Sequence, residues 1–172
     1  MKTYRVVSSL LALTFVFALT SQAQIREEPG AEAAKTWSKF IGEQLAESLV
    51  SPTPKIKAIA IQQITYFAQF APKLDLTETV SPLLKVYKSD DDEQYRVASV
   101  AALHAVGDER GMQEIRLGVA MQSSRRVQVA ALAALFDFYG PVTFERDRAM
   151  AEIARKLIAS AETSVLSIAS NE

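Results

Sequence analysis

Three nine-residue stretches decide the fold: Ile56-Lys57-Ala58-Ile59-Ala60-Ile61-Gln62-Gln63-Ile64, Tyr95-Arg96-Val97-Ala98-Ser99-Val100-Ala101-Ala102-Leu103 and Val127-Gln128-Val129-Ala130-Ala131-Leu132-Ala133-Ala134-Leu135. They align without gaps, at offsets of 39 and 32 residues. Small residues recur in the middle of each block (Ala60; Ala98 and Ser99; Ala130 and Ala131), and a large aliphatic closes it. Small side chains let neighbouring helices approach closely, and the closing aliphatic fills the seam between them. A repeat of this length suits a helical hairpin, which cannot bury its apolar face alone but can when stacked on copies of itself.

Outward from these blocks the chain reads as helices cut by Pro and Gly. Ala34, Trp37, Ile41, Leu45 and Leu49 form one apolar stripe at helical spacing, broken by Ser51-Pro52-Thr53-Pro54. A second helix is expected from Pro54 to Phe70, with Pro at its harmless first turn and Ala71-Pro72 as its stop. A third spans Thr77–Lys88 and tolerates Pro82; the acidic run Ser89–Glu93 then leads into a fourth, Asp92–Val106, ended by Gly107. Carboxylates at a helix start offset the dipole. Two further helices are expected at Glu109–Met121 and Ser124–Phe138, the latter ended by Gly140-Pro141. Thr143 opens a long helix to Ser160. Its amphipathic Phe144–Ala159 portion would turn Ala149, Met150, Ile153 and Leu157 inward and keep Arg146, Arg148, Glu152, Arg155 and Lys156 wet. The expected fold is all-α: a short right-handed α-solenoid of about three hairpins over residues 31–160, closed by a C-terminal capping helix. Residues 161–172 read as a short helix or a disordered tail.

Tyr95 to Asp108 resembles the second helix and exit of a HEAT repeat, particularly the short bacterial variety called PBS-lyase HEAT-like. Pro82 in the preceding helix, Asp90 in the turn and Arg96 six residues later fit the same pattern. The resemblance is best over 78–108, extends over 109–140, and thins over 36–70. It implies a helical-hairpin array with a binding role, in which the turn Asp90 and the helix Arg96 hydrogen-bond across seams between repeats. In the first block Lys57 stands at the Arg place and no turn Asp precedes it; in the third, Gln122 and Gln128 stand at the Asp and Arg places. That ladder therefore reads as broken, leaving the seams to apolar packing.

The N-terminus carries an address. Lys2 and Arg5 precede an uncharged run, Val6–Thr20, and Ser21-Gln22-Ala23 sets small residues at a signal-peptidase exit. The apolar run is shorter than the roughly 20 residues a spanning helix needs. Residues 1–23 are expected to be a cleaved secretory signal, with Gln24–Gly30 a linker and the mature chain periplasmic or secreted, with no stable membrane span. Removing Lys2 and Arg5 leaves 17 basic groups against 20 acidic ones. A net charge of −3 on an exported chain argues against nucleic-acid binding, which draws its affinity from phosphate neutralisation.

Composition narrows the chemistry. The 172 residues contain no Cys and one His, which excludes disulfides, thiol nucleophiles, thiolate-ligated metals and multi-histidine sites. Ala is the commonest residue, at 26, against six Gly and six Pro, a balance that favours helices over a turn-rich sheet protein. The phosphate-loop, dinucleotide, zincin and nucleophile-elbow motifs are absent. No catalytic residue, cofactor or metal ligand is assigned. His104 reads as an exposed helix residue, Asp90-Asp91-Asp92-Glu93 as a solvated turn with a helix start, and Arg125-Arg126 as solvent-facing. Most of Tyr66, Phe67, Phe70, Phe136, Phe138, Tyr139 and Phe144 read as core.

The informative feature is the helix Val127–Phe136, whose one polar residue is Gln128. A helix apolar all round is buried on every side or presents an apolar face to a partner. The repeat alignment puts Ala58, Val97 and Val129 in one row of that face, Gln62, Ala101 and Ala133 in the next, and Thr65, His104 and Phe136 in a third. The expected function is an exported, non-enzymatic protein-interaction module that uses this face. The alternatives are an accessory or small-ligand-binding protein, as the lyase association suggests, and a structural protein pairing with itself.

Overall fold

A computed structural model describes residues 30–169. The chain falls into two compact units, residues 1–37 and 38–172. The proposed signal and linker lie outside the described residues, apart from Gly30. The described residues contain no strand and form eight α-helices packed antiparallel: α1 (Ala31–Leu49), α2 (Pro54–Phe70), α3 (Thr77–Ser89), α4 (Glu93–Val106), α5 (Glu109–Gly118), α6 (Arg125–Tyr139), α7 (Pro141–Arg146) and α8 (Arg148–Ala169). A 3-10 turn, Val119–Met121, extends α5. Of the first unit, the described part is the exposed opening of α1.

Within the second unit, α2, α4 and α6 pack side by side, and α3 and α5 pack on one another and against α4. Local chemistry sets the helix ends. The Asp92 side chain accepts the Gln94 amide at 2.8 Å, Asp108 accepts Gly111 at 2.7 Å, and Ser124 accepts Val127 at 3.3 Å, so each of α4, α5 and α6 starts on a capping oxygen. Gly107 closes α4 at φ +70°, a left-handed conformation that a Cβ would penalise, and its amide reaches the Leu103 carbonyl at 3.1 Å.

The three blocks adopt one pattern of burial. Their fifth, sixth and ninth places are buried in every case: Ala60, Ile61 and Ile64; Ser99, Val100 and Leu103; Ala131, Leu132 and Leu135. Their second place is half-buried and their seventh exposed each time. Tyr87, Leu83, Val80, Met112 and Ile115 from α3 and α5 complete the core, with Leu45 and Leu49 at the α1 end and Met150 at the α8 end. Gly42 lets α1 approach the 71–76 loop: a Cβ there would collide with the Asp75 carbonyl oxygen. Ser38 Oγ accepts the Asp75 amide beside it at 2.6 Å.

The structure corrects the C-terminal expectation. The long helix from Thr143 is two helices, because Asp147 leaves helical geometry (φ −81°, ψ 98°) and its Oδ1 caps α8 by accepting from Ala149 and Met150. Its Oδ2 meanwhile binds Arg116 of α5 at 2.6 Å. Met150 is buried, and Ile153 and Leu157 pack on the core as expected, but Ala149 is exposed. Arg146, Arg148, Glu152, Arg155 and Lys156 are all exposed. The α8 backbone continues helical to Ala169.

Candidate functional site

The face expected for partner binding lies on adjacent, mutually packed helices. None of Ala58, Gln62, Val97, Ala101, His104, Val129, Ala133 and Phe136 is buried. On α6 the open stripe is Arg126, Val129, Ala133, Phe136 and Asp137, with Val129 50% and Phe136 47% exposed. The opposite side of the same helix buries Val127, Ala131, Leu132 and Leu135. The uniform apolarity of α6 thus resolves into a core face and a solvent face, each with its own apolar row. The row at the seventh place (Gln62, Ala101, Ala133) is the most consistently open.

Two features of this face were not expected from the alignment. His104 Nε2 lies 2.9 Å from Asp137 Oδ2, a polar contact from α4 to α6. Asp137 follows Phe136 on α6 and sits one place beyond the aligned position of His104. On α2, Ala58 and Thr65 are only half-exposed, and the more open large side chains are Ile56, Ile59, Tyr66 and Phe70. Among the helices of this row, α2 packs against α4 and ends the row, so more of its circumference stays open.

The aromatics expected to be mostly core divide in the same region: four pack against the core and three are exposed. None of the seven aromatics at the helix ends is fully buried. Tyr66 and Phe70 are exposed and lie against each other with ring centroids 4.8 Å apart, and Phe136 meets Phe144 edge-on at 5.4 Å. Phe67, Phe138, Tyr139 and Phe144 are partly buried against the core. A helix-end aromatic has core on one side only, so spacing alone overstates its burial.

Polar contacts cross both seams, which were expected to rest mainly on apolar packing. Asp90 and Arg96 do not bond each other; each reaches a different neighbour. Lys57 Nζ donates to Asp90 Oδ2 across the α2–α4 seam, with side chains 21% and 11% exposed, and sits over the Tyr95 ring. Tyr95 Oη donates back to the Pro54 carbonyl at 3.1 Å. At the next seam Arg96 Nη1 donates to Gln122 Oε1 at 3.4 Å, Gln122 Nε2 to the Tyr87 carbonyl at 3.4 Å, and Gln128 Nε2 to the Gln122 carbonyl at 2.9 Å. An ammonium replaces a guanidinium in one rung and an amide replaces a carboxylate in the other, and both still supply a donor facing an acceptor. The seams therefore carry polar registration as well as apolar packing.

Asp90, Asp92 and Glu93 of the acidic run all make hydrogen bonds that hold the turn and the helix starts. Asp90 Oδ1 accepts the Asp92 amide at 3.0 Å, Asp92 caps α4, and Glu93 accepts from Ser124 Oγ at the start of α6. Among the described residues no three His, Asp or Glu side chains gather as metal ligands do. Arg125 and Arg126 are not simply solvated: Arg125 Nη2 donates to the Leu157 carbonyl at 2.9 Å, and Arg126 Nη1 lies 3.9 Å from Glu93. Among the described residues no helix is long and apolar enough to cross a membrane. The chain matches no family model, no curated protein and no solved structure.

Proposed function

We propose that this chain is a short α-solenoid of HEAT-like hairpins, exported by its N-terminal signal, that acts as a non-enzymatic protein-interaction module. The carrying observation is the row α2, α4 and α6, which repeats the same buried places on one side and leaves an apolar row open on the other. Apolar side chains held on rigid, packed helices lose little entropy on binding, and contiguous patches of this kind mark interaction surfaces. Asp137, in contact with His104, and Arg126 set charge around that patch, which supplies specificity more than affinity. The signal-like residues 1–23 and the acidic balance of the remainder support export and disfavour nucleic acid.

The test is site-specific photo-crosslinking in the native cells, with the photoreactive residue at Val129, Ala133 or Ala101. Exposed Lys85 on α3 serves as the off-face control. The reading expects a discrete adduct from the face positions and none from Lys85. An adduct of twice the chain's mass would transfer the face to self-pairing, and no adduct from any face position would overturn the reading.

A further inference from the structure

A second feature lies away from the apolar face, in a cleft of about 420 Å³ lined by Lys88, Arg96, Glu114, Leu117, Gly118, Met121, Gln122 and Ser123. Arg96 is half-buried, yet among the described residues no carboxylate lies within ion-pair distance of it. Its side-chain partner is the neutral amide of Gln122 at 3.4 Å, and its Nε–H is buried with no partner at all. Elsewhere on this seam polar groups are matched, so the unmatched guanidinium stands out. A guanidinium presents five donors in a planar fork that fits a carboxylate, and taking one out of water without a counter-ion is costly.

The rest of the lining selects among anions. The other cation, Lys88, is already held by Glu114 at 2.6 Å, so the cleft offers one uncompensated positive charge rather than a polyanion site. Leu117 and Met121 stand 61% and 87% exposed beside it, an apolar wall with nothing against it. Gly118 adds no side chain to the lining. We propose that this cleft binds a single carboxylate carrying a short aliphatic tail, the carboxylate on Arg96 and the tail along Leu117 and Met121. The volume suits a small ligand and also the last residues of a peptide. The shared chemistry is an aliphatic carboxylate, free or at a chain end. The lining of this site shares no residue with the partner face on α4 and α6.

The test is an amide-resolved NMR titration of the purified protein. The probes are hexanoate, hexanamide, and a leucine-terminated tripeptide with a free or an amidated C-terminus. Saturable shifts at Leu117, Gly118 and Ser123 are expected with a carboxylate form and not with its amide. Saturation by hexanoate assigns a free acid; saturation by the free-ended tripeptide alone assigns a chain terminus. Met121→Asp, at a solvent-exposed position, adds a negative charge to the lining and should weaken binding about tenfold or more. Arg96→Gln should abolish binding, and if that variant fails to fold, Met121→Asp carries the test. Absence of cleft shifts with either carboxylate, equal shifts from acid and amide, or unchanged affinity in Met121→Asp would each overturn the proposal.

Discussion

Asp90 does two jobs at one seam, and replacing it separates them. Its Oδ1 accepts the Asp92 amide at 3.0 Å, which shapes the turn into α4, and its Oδ2 holds Lys57 of α2. Asp90→Asn keeps an acceptor for the turn and leaves the Lys57 ammonium a neutral acceptor in place of a carboxylate, an expected loss of about 1 kcal/mol. Asp90→Ala removes both bonds and leaves a largely covered ammonium without its partner, so the loss should reach about 2–3 kcal/mol. The cycle with Lys57→Met isolates the pair. Because both side chains are mostly covered, its coupling should lie near 1–2 kcal/mol, above the range of exposed ion pairs. The assay is urea unfolding followed by helical circular dichroism, with m-values unchanged across the set. Asp90→Ala within about 0.5 kcal/mol of the parent, or a coupling near zero, would mean that apolar packing alone registers α2 on α4.

Gly42→Ala places a Cβ against the Asp75 carbonyl, and calorimetry should show a loss of about 1–3 kcal/mol as α1 lifts from the loop. Burial pushes the Tyr87 phenol up to about 12, a shift that the Gln122 contact opposes. The unfolded chain therefore releases this proton near pH 10 and the folded one does not. Stability is intact below pH 10 and falls by about 1.4 kcal/mol per pH unit until the folded group titrates. Tyr87→Phe should flatten that alkaline limb in pH-resolved urea melts, and an unchanged slope would refute the assignment. For Asp147, partial burial raises the carboxyl, but the Arg116 bond and the Met150 and Ala149 amides outweigh it and hold it low. Its contribution is present above the ordinary carboxylate range and is lost as pH falls through the folded value, so Asp147→Asn should show a shallower acid limb than the parent.

The repeat was legible because burial has a period. Ile61, Val100 and Leu132 share a place in three blocks, and their common fate in the core follows from one alignment. The turns were legible for a similar reason: Asp92, Gly107 and Ser124 act through their own backbone neighbours. Asp147 was read through as helix although its Oδ1 caps α8 on its own backbone neighbours, while its Oδ2 also binds Arg116, thirty-one residues earlier. The seam rungs were misjudged because matching residue identity (Arg to Arg, Asp to Asp) stood in for matching donors and acceptors, which Lys57 and Gln122 still provide. Ile59 and Tyr66 were missed because the alignment treats every helix as having two neighbours in its row. The unmatched charge of Arg96 has no sequence signature at all, as it depends on which carboxylates fail to reach it.

The row α2, α4 and α6 has one face in the core and one open to solvent. Val127 and Val129 test it within a single turn of α6: the first is fully buried and the second half-exposed. Urea unfolding of Val127→Asp and Val129→Asp compares the same chemical change on the two sides. Val127→Asp buries an unpaired carboxylate and should abolish cooperative folding, while Val129→Asp should stay within about 0.5 kcal/mol of the parent. Equal destabilisation by the two would contradict the account, because Val129 would then belong to the core and the open face would not exist.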